Sequence, residues 1–68
     1  MTVVTNGRTV EARPDSSVAD LIRAHGLDPM YVIVERNGEP VERARYEDTA
    51  LDEGDRLELV RAVAGGCT

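Results

Sequence analysis

The sequence predicts an α+β fold in which one helix packs across a small β-sheet. Two Asn-Gly pairs, at positions 6–7 and 37–38, each separate two short segments that read as strands, which is typical of β-hairpins. Between these pairs, Val18, Leu21 and Ile22 have the i, i+3, i+4 spacing of an apolar helix face. Together the three features predict the order strand, strand, helix, strand, short strand, strand.

The first hairpin covers residues 1–13, and its turn also predicts its register. With Asn6-Gly7 as a two-residue loop, three cross-strand pairs follow: Thr5 with Arg8, Val4 with Thr9, and Val3 with Val10. One face of the hairpin is then apolar and is predicted to face the core, through Met1, Val3, Val10 and Ala12.

The helix has start and stop signals at both ends. Ser17 is a predicted N-cap, and Asp20 three residues later forms an acidic variant of the capping box, worth about 1 kcal/mol. Gly26 is placed to end the helix in a left-handed conformation. Asp28-Pro29 then turns the chain towards the next strand.

The second half of the chain predicts three more strands. Residues 31–36 form one of them, and Asn37-Gly38 leads to a short edge strand around Val41, because Pro40 disfavours a central position. Residues 43–52 are predicted to be irregular or a single helical turn, and residues 56–61 to form the last strand. The predicted core comprises Met1, Val3, Val10, Val18, Leu21, Ile22, Leu27, Val32, Val34, Val41, Leu51, Leu57 and Leu59.

Three residues lie outside the simple apolar pattern. Arg36 occupies a strand position that would favour an apolar side chain, and an edge location with its aliphatic stem packed would explain it. Tyr31 and Tyr46 are predicted to be packing residues, since the chain has no Phe or Trp.

Size and charge limit the function. A domain of 68 residues has little apolar surplus for an enclosed substrate cavity, so an enzyme with its own deep pocket is disfavoured. The net charge of −5 disfavours nucleic acid and favours a basic protein partner, although surplus carboxylates can also simply keep a protein soluble. All eight basic residues are arginine, so the chain has no lysine that could receive an isopeptide bond.

Membrane and metal sites are not predicted. The longest apolar run, residues 30–34, is too short to span a membrane, and the N-terminus lacks the apolar core of a signal peptide. One cysteine permits no intrachain disulfide, and a cytoplasmic location is the simplest expectation. His25, near the helix C-terminus, has no second ligand at suitable spacing and is expected to interact with the helix dipole.

The order of several short motifs resembles the ThiS/MoaD family of sulfur-carrier proteins, which have a ubiquitin-like β-grasp fold. The resemblance is closest to the ThiS type and covers essentially the whole chain. The motifs, in order, are Asn6-Gly7, Ser17-Val18-Ala19-Asp20-Leu21, Gly26-Leu27-Asp28-Pro29, Val32-Ile33-Val34-Glu35, Asn37-Gly38-Glu39, Leu51 to Val60, and Ala62-Val63-Ala64-Gly65-Gly66.

The resemblance implies that the functional residue is Gly66. An adenylating enzyme related to the ubiquitin-activating enzymes, of the ThiF/MoeB type, would use ATP and magnesium to activate its carboxylate. A persulfide or another sulfur donor would then leave a thiocarboxylate for a sulfur-accepting synthase. The chain itself would bind no cofactor and would not be an enzyme. Residues 1–64 would form the domain and residues 65–68 a flexible tail, in which Gly65, together with Ala64 before it, serves tail recognition.

The chain departs from this pattern at Cys67-Thr68, because the Gly66 carboxylate is held in a peptide bond. Some bacterial sulfur carriers have a short extension that begins with cysteine, and a zinc metalloprotease of the JAMM type removes it. By this resemblance, processing would cut between Gly66 and Cys67. Cys67 could instead be an inert thiol, or could accept the Gly66 acyl group in an N-to-S shift.

Several functions remain open at the level of sequence. The sulfur acceptor could be the thiamin thiazole, a natural-product intermediate, a cysteine precursor or molybdopterin, and the extension favours a specialised pathway. Val60 and Ala62, on the polar side of the last strand, are candidates for the surface that docks on the adenylating enzyme. The alternatives are a ubiquitin-like modifier conjugated through Gly66, and a β-grasp binding module without C-terminal chemistry.

Overall fold

A mixed five-stranded sheet with one helix across it forms the part of the chain that the structure describes, and its strand order is β2-β1-β5-β3-β4. The computed structural model describes residues 1–62. Its elements are β1 (Thr2–Thr5), β2 (Arg8–Glu11), α1 (Val18–Ala24), β3 (Val32–Arg36), β4 (Glu39–Val41) and β5 (Arg56–Arg61), with 3-10 turns at Pro29–Tyr31 and Arg43–Arg45. The predicted order of elements is confirmed. The predicted domain boundary after residue 64 lies outside the described residues.

The two Asn-Gly pairs make the two hairpin turns. Asn6 and Gly7 have φ values of 51° and 82°, and Asn37 and Gly38 have values of 53° and 86°. Positive φ at both central residues is the type I′ geometry, whose twist matches that of the flanking strands. The predicted register of the first hairpin is confirmed, with Thr5 opposite Arg8 and the other pairs following.

The last strand, β5, lies at the centre of the sheet. It pairs in parallel with β1 and antiparallel with β3. A parallel pair needs a long connection, and here that connection includes α1, which packs on one face of the sheet. The side chains of Leu57 and Leu59 point to that face and are buried.

The helix ends are capped as predicted. Ser17 Oγ accepts a hydrogen bond from the Asp20 N–H at 3.1 Å, and Asp20 Oδ2 accepts one from the Ser17 N–H at 3.0 Å. The bond from the Ser17 backbone is the main cause that lowers the pKa of Asp20. Gly26 has φ 76°, and the Nδ1 atom of His25 lies 2.9 Å from the carbonyl oxygen of Leu21 at the helix C-terminus.

The core lies between α1 and the sheet, and it contains the predicted residues. Tyr46 is also buried, at 3% exposure, and its hydroxyl donates to the Val32 carbonyl at 2.7 Å. Tyr31 is 48% exposed, so the prediction that it packs inside is wrong. The buried apolar set is Val3, Val18, Ala19, Leu21, Ile22, Val32, Val34, Tyr46, Leu51, Leu57 and Leu59, with Met1, Val10, Ala12, Leu27 and Val41 partly buried around it.

Arg36 does not lie on an edge strand, so that explanation is wrong: β3 lies between β5 and β4. Its guanidinium instead donates to Asp55 at 2.9 Å and to Asp52 at 3.0 Å. Asp55 is buried and also accepts hydrogen bonds from the Asp52 N–H and the Asn37 amide. Burial favours the neutral acid, but these donors outweigh it and hold the pKa of Asp55 below its ordinary value.

Candidate functional site

The candidate site begins where β5 ends and the C-terminal segment starts. The N–H of Ala62 donates to the Tyr31 carbonyl at 2.6 Å, which extends the pairing of β5 with β3 one residue beyond the pair Val32–Arg61. This bond fixes the position from which the chain continues towards Gly66. The predicted site residues Ala64, Gly65, Gly66 and Cys67 lie outside the described residues, so their roles stay predictions.

Asn6, at the end of β1, forms hydrogen bonds with β5 on the side opposite β3. Its backbone N–H donates to the Leu57 carbonyl at 2.8 Å, and there β1 ends. Its side-chain amide then makes the two hydrogen bonds that a further backbone residue of β1 would make. Oδ1 accepts from the Leu59 N–H at 2.8 Å, and Nδ2 donates to the Leu59 carbonyl at 3.3 Å. The sequence predicted Asn6 only as a turn residue, because a contact across 53 positions leaves no local signal.

Four residues cluster on the sheet at the C-terminal end of β5, and we call them the tail-base patch: Tyr31, Ile33, Val60 and Ala62. Ile33 and Val60 are directly opposite each other in the β3–β5 register, and Tyr31 and Ala62 continue that register. Ile33 is 51% exposed and Val60 is 58% exposed, on the face of the sheet opposite α1. The structure therefore brings the predicted residues Val60 and Ala62 together with Ile33 and with Tyr31, which the sequence had placed among the packing residues.

A pair of carboxylates lies immediately beside the tail-base patch. Glu35 and Glu58 are directly opposite each other, two residues along β3 and β5 from Ile33 and Val60. Both are exposed, and no ion pair within residues 1–62 involves either of them. Like charges at directly opposite positions destabilise a sheet, so this acidic pair is a local cost to the fold.

Residues 1–62 contain no feature that suggests a catalytic site. A cavity of about 810 Å³ is an open groove beside α1, and no residue of β3 or β5 lines it. Within residues 1–62 no group of three or more His, Cys, Asp and Glu side chains could hold a metal ion. No helix in the same range is long and apolar enough to cross a membrane.

Comparison with known proteins identifies the family. Residues 2–66 match the ThiS family. The match covers the β-sheet, the helix, Gly65 and Gly66. The chain belongs to the ThiS family. It is a sulfur carrier of this family, as the order of motifs indicated. The match ends at Gly66, so the subtype with a cysteine-containing extension stays a prediction.

Individual relatives agree with this assignment. The chain is 37% identical over 62 residues to the sulfur carrier protein ThiS of Bacillus subtilis, with 90% of this chain and 94% of that protein covered. It is also 36% identical over 66 residues to a thiazole synthase of Paramagnetospirillum magneticum. That match covers 97% of this chain and 20% of the synthase, so the ThiS-family chain corresponds to a small part of a longer protein.

Solved structures confirm the ubiquitin-like β-grasp fold. The crystal structure of the thiamine biosynthesis protein ThiS from Geobacter metallireducens superposes with a TM-score of 0.78 at 32% identity, covering 97% of this chain and 100% of that one. Its solution structure gives the same TM-score at 33% identity, with 97% and 88% covered.

Proposed function

We propose that this ThiS-family sulfur carrier is processed to end at Gly66, adenylated there and converted to a C-terminal thiocarboxylate that donates sulfur in biosynthesis. The observation that carries the proposal is the extent of the family match, which runs to Gly66 and stops there. A match that includes both glycines and excludes Cys67-Thr68 supports Gly66 as the working end of the chain.

The chemistry explains why the chain must first be cut. Hydrolysis of the Gly66–Cys67 peptide bond frees the Gly66 carboxylate, and a JAMM-type protease is the proposed catalyst. A carboxylate is a poor electrophile, so the adenylating enzyme joins it to the α-phosphate of ATP and releases pyrophosphate. A sulfur nucleophile then displaces AMP, and if the donor is a persulfide, a thiol must cleave the remaining S–S bond.

Glycine suits both the cut and the activation. Gly66 has no side chain, so a protease, a nucleotide and a sulfur donor can each approach its carbonyl closely. Gly65 allows backbone conformations that other residues disfavour, and it belongs with Ala64 to the segment that the enzymes would recognise. The chain contributes no catalytic side chain to these steps and acts as a co-substrate.

Thiamin thiazole formation is the pathway that the relatives support. The Bacillus subtilis relative is a sulfur carrier named ThiS, and the Geobacter structure is of a thiamine biosynthesis protein. The matching segment within a thiazole synthase suggests that this carrier and its sulfur-accepting enzyme work in one pathway. The Cys67-Thr68 extension favours a branch with its own protease, such as a specialised sulfur-containing metabolite or cysteine.

The most direct test is the intact mass of the protein recovered from its own cells. We expect a species that ends at Gly66, part of which is heavier by the difference between a sulfur and an oxygen atom. Only full-length protein, under thiamin limitation as well as in rich medium, would contradict the processing step. Deletion of the gene for the proposed processing protease is the control, because it should convert all of the protein to the full-length form.

A second measurement separates the sulfur carrier from a protein modifier. Both use an activated Gly66, but only a modifier forms covalent adducts with the lysines of other proteins. We expect no high-mass adducts in cells that express a tagged chain, and restoration of thiazole formation in a strain that lacks its own carrier. Adducts that disappear when Gly66 is deleted would favour the modifier.

A further inference from the structure

The two edges of the sheet differ at one equivalent position. β2 and β4 are the edge strands, and each follows a two-residue type I′ turn. Arg8 and Glu39 are the first residues after these turns, and the next residue is Thr9 in β2 but Pro40 in β4. Proline has no N–H, so Pro40 disfavours the addition of another strand beside β4. Thr9 leaves the edge of β2 open to pairing.

The backbone groups of Thr9 and Glu11 point away from β1. At the far end of the hairpin, the Met1 amino group donates to the Ala12 carbonyl at 2.8 Å, and the Ala12 N–H donates to the Met1 carbonyl at 2.7 Å. Bonded and non-bonded pairs alternate along antiparallel strands, so Val10 also bonds to β1, whereas Thr9 and Glu11 do not. Within residues 1–62 no strand lies on their other side, so their N–H and C=O groups are unpaired by the sheet.

One antiparallel register suits the pairing of β2 with β2 of a second copy. Outward-facing residues must lie opposite each other. Thr9 opposite Thr9 would place Glu11 against Gly7, which belongs to the turn. Glu11 opposite Glu11 would place two carboxylates face to face, which is destabilising. The remaining register pairs Thr9 of each copy with Glu11 of the other, and the two residues of each pair exchange both backbone hydrogen bonds.

The same register brings apolar side chains together at the two-fold axis. Val10 of one copy lies opposite Val10 of the other, in the non-bonded type of pair whose side chains are closest. Val10 lies opposite Val3 on the face of the sheet that carries α1, and it is only partly buried. Pairing of the two copies would therefore cover the part of each Val10 side chain that the single chain leaves exposed.

The open groove beside α1 adds a charge contact. In this register Arg8 lies opposite Ala12 of the second copy, and Ala12 lines that groove together with Asp15. Neither Arg8 nor Asp15 belongs to an ion pair within residues 1–62, whereas Arg23, which also lines the groove, is paired with carboxylates of its own chain. The Arg8 guanidinium of one copy can therefore reach an unpaired carboxylate in the groove of the other.

We propose that two copies of this chain associate through their β2 edges in this register, so that their two sheets become one continuous sheet. The second copy is the occupant that this edge specifies, because its backbone groups, Val10 and the charges of Arg8 and Asp15 are all self-complementary. The interface is small, so the dimer is weak and reversible. The tail-base patch lies on β3 and β5, away from β2, and stays accessible in the dimer. The proposal does not depend on the proposed function.

Sedimentation equilibrium of the full chain tests the association. A reducing agent is present throughout, so that Cys67 cannot link two chains through a disulfide. We expect the average mass to rise with concentration, with about half of the chains in dimers at about 0.5 mM. A mass that stays that of the monomer up to about 2 mM would overturn the proposal.

Thr9→Pro tests the edge itself, because it gives β2 the residue that β4 has at the equivalent position. The variant removes the N–H that bonds to Glu11 of the second copy, but that N–H makes no bond to β1. We expect the dimer Kd to rise at least about tenfold. Thr9→Ala is the matched control, because it removes the side chain but keeps the N–H, and its Kd should stay within about threefold of the unmodified value. Equal Kd values for Thr9→Pro and the unmodified chain would contradict the edge contact.

Amide chemical shifts of the unmodified chain locate the interface without any variant, so the test stands even where Thr9→Pro fails to fold. As concentration rises, we expect the largest shift changes at the N–H groups of Thr9 and Glu11, which gain hydrogen bonds. The N–H of Val41, on the opposite edge, should not shift. Largest changes at Ile33 and Val60 would place the contact on the open face of the sheet and overturn the proposal.

Discussion

The two ends of β5 differ in whether their charged side chains are paired and in whether their apolar side chains are buried. Immediately before the strand, Asp55 is buried, and each of its carboxylate oxygens accepts a hydrogen bond. The donors are the side chains of Arg36 and Asn37 and the backbone N–H of Asp52. At the other end, Val60 is exposed beside the unpaired charges of Glu58 and Glu35. The first arrangement stabilises the fold, whereas the second leaves interactions for a partner. The chain continues into the C-terminal segment from the second end.

The largest expected loss of stability follows from Asp55→Asn. Removing one partner of a buried charge network leaves Arg36 without its main partner, and we expect a loss of about 2–3 kcal/mol in the free energy of unfolding at pH 7. Urea unfolding measures it. Asp52→Asn, which removes the more exposed partner of Arg36, should cost much less.

The same variant predicts a pH dependence with a definite sign. The folded-state pKa of Asp55 is lower than its unfolded value, so its contribution is complete above that unfolded value, about 4. It is lost as pH falls through the folded-state pKa. The difference in stability between the unmodified chain and Asp55→Asn should therefore narrow below about pH 4. A difference that stays constant down to pH 2 would contradict the charged network.

The next largest effect tests the hold of Asn6 on β5. Asn6→Gly keeps the positive φ of the turn but removes both hydrogen bonds to Leu59, and we expect a loss of about 1–2 kcal/mol. Amide hydrogen exchange at Leu59 should accelerate more than at Leu57, because the Leu59 N–H loses its acceptor, Asn6 Oδ1, whereas the Leu57 N–H has no bond to that side chain. Asn37→Gly is a control at the other type I′ turn. In this variant, amide exchange at Leu59 should stay unchanged, because Leu59 bonds to Asn6.

Two tyrosines provide a matched pair for the third prediction. Tyr46→Phe removes a buried hydroxyl that donates to the Val32 carbonyl, so we expect a loss of about 1 kcal/mol. Tyr31→Phe changes an exposed residue of the tail-base patch and should leave stability within about 0.5 kcal/mol of the unmodified chain. Equal losses in the two variants would mean that the two tyrosines have similar environments.

The smallest effect has the opposite sign. Glu58→Gln removes one of two like charges that face each other, and we expect a gain of a few tenths of a kcal/mol at low salt. The gain should shrink in high salt, because exposed charges are screened. A loss of stability would show that Glu58 supports the fold, and it would remove the contrast between the two ends of β5.

Local signals account for most of what was predicted correctly. The type I′ turns at 6–7 and 37–38, the capping box at Ser17 and Gly26 at the helix end all depend on neighbours a few residues away. The alternation of Val32 and Val34, and of Leu57 and Leu59, indicated the buried face before the strand order was known. The errors concern two single side chains: Arg36, whose partner Asp55 is distant in sequence, and Tyr31, which lies on the exposed face of the sheet.

The sequence alone determined the elements, the register of the first hairpin, the core and the family, because periodicity, turn chemistry and motif order are written in neighbouring residues. Only the tertiary structure decided that β5 lies between β1 and β3. That placement sets Asn6 against Leu59, Glu35 against Glu58, and Ile33 against Val60. Such pairs depend on which strands become neighbours, and that choice is made by burial of the whole apolar face against α1 rather than by any local motif.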